Sequence, residues 1–279
     1  MSGQIIGMPQ WLASPPGQYL LDWERAQMAS TVANLFGFHA LQLGLPELDA
    51  LESNRMPHRW LATQSALDES LPGQTLGLRP SLVTEFSALP FPANSLDLVV
   101  LPHALELTHD PHGALREVAR VLVPDGRVVI CGLNPLSLWG LRQRRAHLYR
   151  RFGAEQLFLP DAGEFIGYLR LRDWLRLLSL EIEVGRFGCY RPAFSSQAWL
   201  QRFGWMDAAG ARWWPILGAV YFLVAVKRVR GMTLLNPGWK TSRWLATAPV
   251  SVANSSGSTR AGSQNIADLH QRALGCERD

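Results

Sequence analysis

Three histidines stand close together, at positions 103, 109 and 112. His103 follows the apolar run at 96–101, where the carboxyl end of a parallel strand would meet ligands in an open α/β sheet. An imidazole there can act as a base or line a pocket, or it can be a structural side chain satisfied by the backbone. No i, i+4 histidine pair with a carboxylate occurs, so we expect no metal site. His109 and Asp110 fit the start of a helix.

A second group that can do chemistry is a cluster of arginines. Of 27 basic residues only Lys227 and Lys240 are lysines. Guanidinium groups bind phosphate and carboxylate in a bidentate manner, so the cluster indicates a phosphorylated or carboxylated substrate, or RNA. A solvated helical face is the alternative. The cluster comprises Arg142, Arg144, Arg145, Arg150 and Arg151, and Arg170, Arg172 and Arg176 extend it.

Asn134 opens an Asn-Pro segment after a predicted strand. Its amide can bind a polar group of a substrate, although Asn-Pro is also typical of a turn. The candidate substrate pocket therefore consists of His103, Asn134, Arg142 and Arg170.

Composition predicts a globular, cytoplasmic protein. Of 279 residues, 47% are hydrophobic and 18% charged, and the formal net charge is +4. Cys131, Cys189 and Cys276 are far apart, so neither a zinc site nor a disulfide framework is expected. The N-terminal residues lack the pattern of a signal peptide. The apolar stretch at 213–226 is shorter than the roughly 20 residues that a membrane span needs.

The apolar patterns predict strands alternating with helices. Strands are expected at 39–44, 59–63, 81–86, 96–101, 127–131, 180–184 and 221–228, and helices at 22–36, 110–122 and 171–180. This order is typical of a Rossmann-like doubly wound α/β sheet, mostly parallel, with an antiparallel last strand and helices on both faces.

Three regions are expected along the chain. Residues 1–20 form a loop-like lead-in, and residues 21–230 form one domain with Arg- and Trp-rich insertions at 136–170 and 190–218. Residues 231–279, rich in Ser, Ala and Gly, form a largely disordered tail.

Two segments carry a family resemblance. The run LPFPANSLDLVVL at 89–101 and the run RVLVPDG at 120–126 resemble the second half of class I S-adenosylmethionine (SAM) methyltransferases, of the type 11 group. Asp97 stands at the acidic position of the family's strand start, and Asp125 replaces the first glycine of a Pro-Gly-Gly stretch. The resemblance implies that Glu85 and Phe86, ahead of the Leu-Pro-Phe stretch, meet the adenine.

The first half of the family pattern is degenerate. Of the family's glycine-rich loop, the segment LQLGLPEL retains only Gly44, and Pro46 has no amide N–H to donate. Thr63 stands where the family places the acidic residue that binds both ribose hydroxyls, and a single hydroxyl binds them less strongly. Asp68 or Glu69 can compensate.

The resemblance implies SAM as cofactor, with contacts from Gly44, Leu45, Thr63, Glu85, Phe86, Leu101 and His103. Three functions stay open: methyl transfer to a small molecule by alignment of acceptor and sulfonium methyl, an inactive methyltransferase-like module that binds a partner, and an RNA methyltransferase. The catalytic residues stay unassigned.

Overall fold

The computed structural model describes residues 7–64, 80–150, 158–160 and 165–229, with backbone alone for residues 147–150. The predicted tail at 231–279, the compensating Asp68 and Glu69, and Arg151 lie outside these residues. The elements are α1 (Met8–Leu12), α2 (Pro15–Val32), β1 (His39–Leu43), β2 (His58–Thr63), β3 (Leu82–Val83), β4 (Leu96–Pro102), α3 (Ala104–Leu107), α4 (Pro111–Val121), β5 (Leu122–Leu133), α5 (Leu138–Arg150), α6 (Tyr168–Leu177), β6 (Leu180–Gly188), α7 (Gln197–Arg202), α8 (Trp205–Trp213) and β7 (Val220–Lys227), with a 3-10 turn at Pro215–Leu217.

The strands form one seven-stranded sheet in the order β3-β2-β1-β4-β5-β7-β6. Strands β1 to β5 pair in parallel, and β7 runs antiparallel to both β5 and β6. The Rossmann-like sheet with an antiparallel last strand is thus confirmed. No helix in the described part of the chain is long and apolar enough to cross a bilayer.

The sheet separates two apolar layers, as the continuous apolar run of β4 predicts for a strand covered on both faces. Leu98 and Val100 pack in the layer that contains α1 and α2. Val99 and Leu101 pack in the opposite layer with residues of α4 and α6. Asp97 faces the start of β1, where its Oδ2 accepts hydrogen bonds from the amides of Phe38 and His39 at 2.8 and 2.9 Å.

The loop-like lead-in predicted for residues 1–20 is wrong over residues 8–12 and 15–20, which are helical. Prolines suit the first turn of a helix, where their missing N–H would have no partner, and Pro9 and Pro15 lie in the first turns of α1 and α2. Buried Trp11 and Leu20 then fix both helices to the core. The helix predicted at 22–36 accordingly starts earlier and ends at Val32.

Two further boundaries differ from prediction. The strand expected at 81–86 is only two residues long. The turn expected before the fifth strand lies within β5, where Asp125 has a φ of +61° and the pairing register with β4 shifts. Aspartate tolerates this left-handed conformation better than most residues, which explains how it replaces a glycine there. The helix at 110–122 is confirmed, with Asp110 Oδ1 accepting from the Gly113 amide at 2.8 Å.

Gly17 lets α1 approach α2 closely. A Cβ at this position would lie 2.3 Å from the Trp11 carbonyl oxygen and 2.5 Å from the Leu12 Cα. We expect Gly17→Ala to lower the free energy of unfolding by about 1–3 kcal/mol, because backbone must move to admit the methyl group. Urea unfolding measures this. Gly185→Ala is the control, since its Cβ would meet only Leu223 Cδ2 at 3.4 Å, and an equal loss in both variants would contradict the prediction.

Candidate functional site

A cavity of about 310 Å³ opens at the carboxyl ends of β1 and β2. Open α/β sheets bind ligands at this edge, and the volume is at the lower end of the range for small-molecule sites. Four residues predicted to contact the cofactor meet here, namely Gly44, Leu45, Thr63 and Phe86. The remaining lining residues are Met8, Pro9, Pro46, Glu47, Gln64 and Leu107.

The loop after β1 forms the floor of this cavity without a helix behind it. Residues 44–57 form turns and bends before β2 begins. Gly44 and Leu45 are both left-handed, with φ of +75° and +45°, and the Gly44 amide donates to the Ala62 carbonyl at 2.8 Å. A parallel crossover usually contains a helix whose first amides can bind an anion. That anion site is replaced here by a loop in which Pro46 lacks an N–H.

Gln42 holds this loop in place. Its Nε2 donates to the carbonyls of Gly44, Leu45 and Leu48 at 3.2, 3.0 and 2.7 Å. Its Oε1 accepts from the Ala50 amide at 3.0 Å. The side chain is 1% exposed, so these bonds replace water for buried backbone groups. Sequence reasoning missed this role, because the contacts become visible only once the loop is folded around β1.

Glu47 is the charged residue in the lining of the cavity. It is half-buried, and burial raises the pKa of its carboxyl. Sequence reasoning also missed Glu47, because the resemblance assigned no role to this position. A carboxylate beside a partly enclosed cavity favours a cationic ligand group.

Three predicted cofactor residues, Glu85, Leu101 and His103, lie outside the cavity lining. Glu85 is exposed, although it directly precedes Phe86, which is 2% exposed. Leu101 is fully buried in the apolar layer behind the sheet. Thr63 is 6% exposed at the end of β2, and its carbonyl accepts from the Thr84 amide at 2.9 Å. The structure therefore brings together the predicted residues of β1, β2 and the segment after β3.

His103 follows β4 as predicted but faces the protein interior. Its side chain is 0% exposed, with Nε2 at 2.8 Å from Glu24 Oε1 and Nδ1 at 2.9 Å from Glu106 Oε2. Glu106 also accepts from the Leu133 amide. Burial lowers the pKa of His103, but Glu24 and Glu106 outweigh burial and raise it to about 10.

A pocket-lining imidazole therefore does not fit these contacts, because carboxylates occupy both ring nitrogens. The contacts agree better with the alternative of a structural histidine, although carboxylates and not backbone groups hold its ring. This buried cluster of Glu24, His103 and Glu106 joins α2, β4 and α3. Burial also raises the pKa of the Cys131 thiol, which lies near Glu24. The described residues form no set of side chains that could hold a metal ion.

The predicted substrate-pocket residues do not gather at one place. Asn134 Nδ2 donates to the carbonyls of Ile216 and Gly218 at 2.7 and 2.9 Å, which ties the turn after β5 to the one before β7. Arg142 donates to the Ala193 carbonyl and lies 4.7 Å from the ring centroid of Phe158. Arg170 lies over Trp174 at 5.1 Å. The Asn-Pro turn expected as the alternative for Asn134 matches its contacts.

A larger groove lies elsewhere. It has a volume of about 900 Å³, runs between α6 and β6, and is lined by Arg172, Arg176 and Arg228 among others. None of the predicted cofactor residues lines it. Arg172 and Arg176, which extend the arginine cluster in the sequence, thus line a separate groove. The residues that match the family's cofactor positions meet in the smaller cavity instead.

Comparison with known proteins agrees with this fold. Residues 62–130 match the family model of the methyltransferase domain. The uncharacterized protein YafS of Escherichia coli K12 is 29% identical over 233 residues, covering 84% of this chain and 86% of that protein.

Two solved structures show the same architecture. One is a chain of the complex between the Trm112 methyltransferase activator of Haloferax volcanii and a methyltransferase (TM-score 0.50, 17% identity, 79% of this chain and 96% of that chain). The other is a SAM-dependent methyltransferase from Archaeoglobus fulgidus (TM-score 0.51, 14% identity, 75% of this chain and 94% of that chain).

The sheet order and these structural matches show the Rossmann-like fold that methyltransferases have. The matched residues 62–130 contain both segments that carry the resemblance at 89–126, so that resemblance is confirmed.

Proposed function

We propose that this protein transfers a methyl group from SAM to a small-molecule acceptor, and that the methyltransferase-like domain predicted at 21–230 also includes α1 and the start of α2, which pack on the same core. The observation that carries the proposal is the meeting of Gly44, Leu45, Thr63 and Phe86 around one cavity at the carboxyl edge of the sheet. These residues come from three segments that are distant in sequence, and the resemblance names each of them as a cofactor residue.

The lining fits the adenosyl part of SAM. Phe86 and Leu107 provide an apolar wall for a flat ring. Gly44 adds no side chain, and a Cβ there would meet nothing nearer than Phe86 Cζ at 3.6 Å. The Thr63 hydroxyl is a donor and acceptor at the strand end where the family binds ribose. SAM supplies the methyl group, which its sulfonium makes electrophilic.

The amino-acid part of SAM would meet a different environment from that of the family pattern. Pro46 and the missing helix leave fewer amide donors for a carboxylate. Glu47 instead offers a negative charge for the ammonium and sulfonium groups. In this proposal Glu47 holds the cationic end of SAM, and the apolar wall limits water near the methyl group.

Isothermal titration calorimetry with SAM and S-adenosylhomocysteine tests the proposal. We expect Kd values in the micromolar range, weakened by Thr63→Val. No binding of either compound at millimolar concentration would overturn the proposal. It would favour the alternative of a methyltransferase-like binding module without SAM, to which Pro46 and the missing crossover helix point.

We expect Glu47→Gln to weaken SAM binding about five- to tenfold, and S-adenosylhomocysteine binding less, because only SAM carries the sulfonium charge. Since burial raises the pKa of Glu47, SAM affinity of the wild type should fall as the pH is lowered through that pKa, and this dependence should vanish in the variant. Calorimetry at several pH values measures both effects.

Glu52→Gln is the matched control, since Glu52 is an exposed carboxylate in the same loop. Equal losses in the two variants would indicate a general effect of net charge and would contradict a specific role for Glu47.

The acceptor is proposed to be a small molecule and not RNA. Arg142 and Arg170 contact protein groups, while Arg172 and Arg176 line the separate groove. RNA binding through a continuous basic face would instead need these side chains along one path. A methylation assay with total RNA and with a small-molecule extract, both with radiolabelled SAM, separates the two acceptors.

A further inference from the structure

Exposed apolar side chains form a rim at the carboxyl end of β5. Leu133 and Val220 pair across this end of the sheet. Leu133 leads into the turn after β5, and Val220 follows the 3-10 turn before β7. The two bonds from Asn134 Nδ2 hold these turns side by side. The apolar rim comprises Leu136, Leu138, Trp213, Trp214, Ile216 and Leu217, which are 43–73% exposed.

Exposure of this kind is costly in water. Scattered exposed apolar residues are common, but a contiguous group marks an interaction surface. Trp213 is 73% exposed and Ile216 is 56% exposed. The rim lies at the same edge of the sheet as the cofactor cavity, since both follow the carboxyl ends of parallel strands.

The charges around the rim are positive. On α5, Arg145 lies two turns after Leu138 and therefore on the same side of that helix. Arg212 precedes Trp213 at the end of α8. In segments 136–146 and 191–217, which are described throughout, Asp207 is the only carboxylate, and it is paired with Arg191 at 2.9 Å. The surroundings of the rim thus carry a clear excess of cations.

From this arrangement we propose that the apolar rim docks onto an anionic lipid bilayer. Tryptophan and aliphatic side chains flanked by arginine suit the boundary between acyl chains and phosphate headgroups. A second copy of the chain fits less well, because a symmetric contact would place Arg145 and Arg212 against an equally basic surface. RNA also fits less well, since four of the six rim side chains are aliphatic and offer no ring for a base to stack on.

Docking is independent of methyl transfer and needs no cofactor. If both proposals hold, the edge of the sheet with the cofactor cavity faces the membrane, and an amphiphilic acceptor can reach it from the lipid. If SAM did not bind, the docking proposal would still hold. If the protein did not bind membranes, the proposal of methyl transfer would still hold.

Vesicle flotation of the full-length chain tests the proposal. We expect binding to vesicles of phosphatidylglycerol and phosphatidylcholine, and much weaker binding to phosphatidylcholine alone. The double variant Leu138→Ser with Ile216→Ser should bind at least about tenfold more weakly, because each side chain would lose its transfer into the lipid boundary. Arg145→Gln with Arg212→Gln should weaken binding to anionic vesicles and reduce its sensitivity to salt.

The matched control is Leu177→Ser with Val229→Ser, since these residues are 83% and 61% exposed. They lie near the opposite edge of the sheet, where Leu180 pairs with Lys227. Unchanged binding in this control, beside the loss in the rim variant, would support the proposal. Absence of wild-type binding, or an equal loss in both double variants, would overturn it. So would a dimer that the rim variant converts to a monomer, which would assign the rim to a second copy.

Discussion

Replacement of His103 by alanine is expected to lower the free energy of unfolding by about 3–5 kcal/mol at pH 7. The variant leaves Glu24 and Glu106 as buried carboxylates without a cationic partner, and removing one partner of a buried ion pair carries a cost of this size. Urea unfolding measures the loss. His109→Ala is the control, because His109 is exposed in the next loop, and we expect it to change stability by less than about 0.5 kcal/mol.

The same cluster predicts a dependence of stability on pH. The pKa of His103 rises from 6.5 to about 10 on folding, so the folded state retains a proton that the unfolded state releases. The resulting stabilisation is complete below pH 6.5 and is lost as the pH rises through 10. The slope approaches about 1.4 kcal/mol per pH unit between these values.

The difference in stability between the wild type and His103→Ala should therefore narrow from pH 7 to pH 9.5. A triple variant with Glu24, His103 and Glu106 all changed to glutamine should be more stable than His103→Ala at pH 7, because it buries no unpaired charge. A triple variant no more stable than His103→Ala would assign the loss to packing instead.

Replacement of Gln42 by glutamate is expected to disrupt the floor of the cofactor cavity. Glutamate has nearly the size and shape of glutamine, so this change would appear conservative. In this protein, however, Nε2 donates to three carbonyls, and a carboxylate is an acceptor only. Glutamate would face those carbonyl oxygens with a buried negative charge.

We expect Gln42→Glu to cost about 3 kcal/mol or more in the free energy of unfolding, from three unsatisfied buried carbonyls and an unpaired charge. SAM and S-adenosylhomocysteine affinity should fall at least about tenfold, because Gly44 and Leu45 lose their support. Unfolding and calorimetry measure the two effects. The control is Gln201→Glu, since Gln201 is exposed on α7 and does not line the cavity. A stable Gln42→Glu variant with tighter SAM binding would contradict the bracing role.

Local patterns in the sequence predict much of the fold. The run at 96–101 predicted a central buried strand because both of its faces are apolar, and Asp110 with Pro111 predicted the start of α4. Gly44, Thr63 and Phe86 were predicted by resemblance to face one cofactor, and the sheet order β3-β2-β1-β4 brings their segments together. The helices at 8–12 and 15–20 were missed, because Pro and Gly indicate loops unless tertiary packing overrides them.

Only the tertiary structure decided what the polar side chains do. His103 had the position of a pocket residue, but Glu24, which is 79 positions away in sequence, turns it into a buried ion pair. Gln42 had no motif of its own, and its role depends on how the loop at 44–50 folds back over β1. Periodicity reports which face of an element is buried, since burial repeats with the geometry of helix and strand. Hydrogen bonds between distant side chains leave no such period, so the chemistry of the site became visible only in the folded chain.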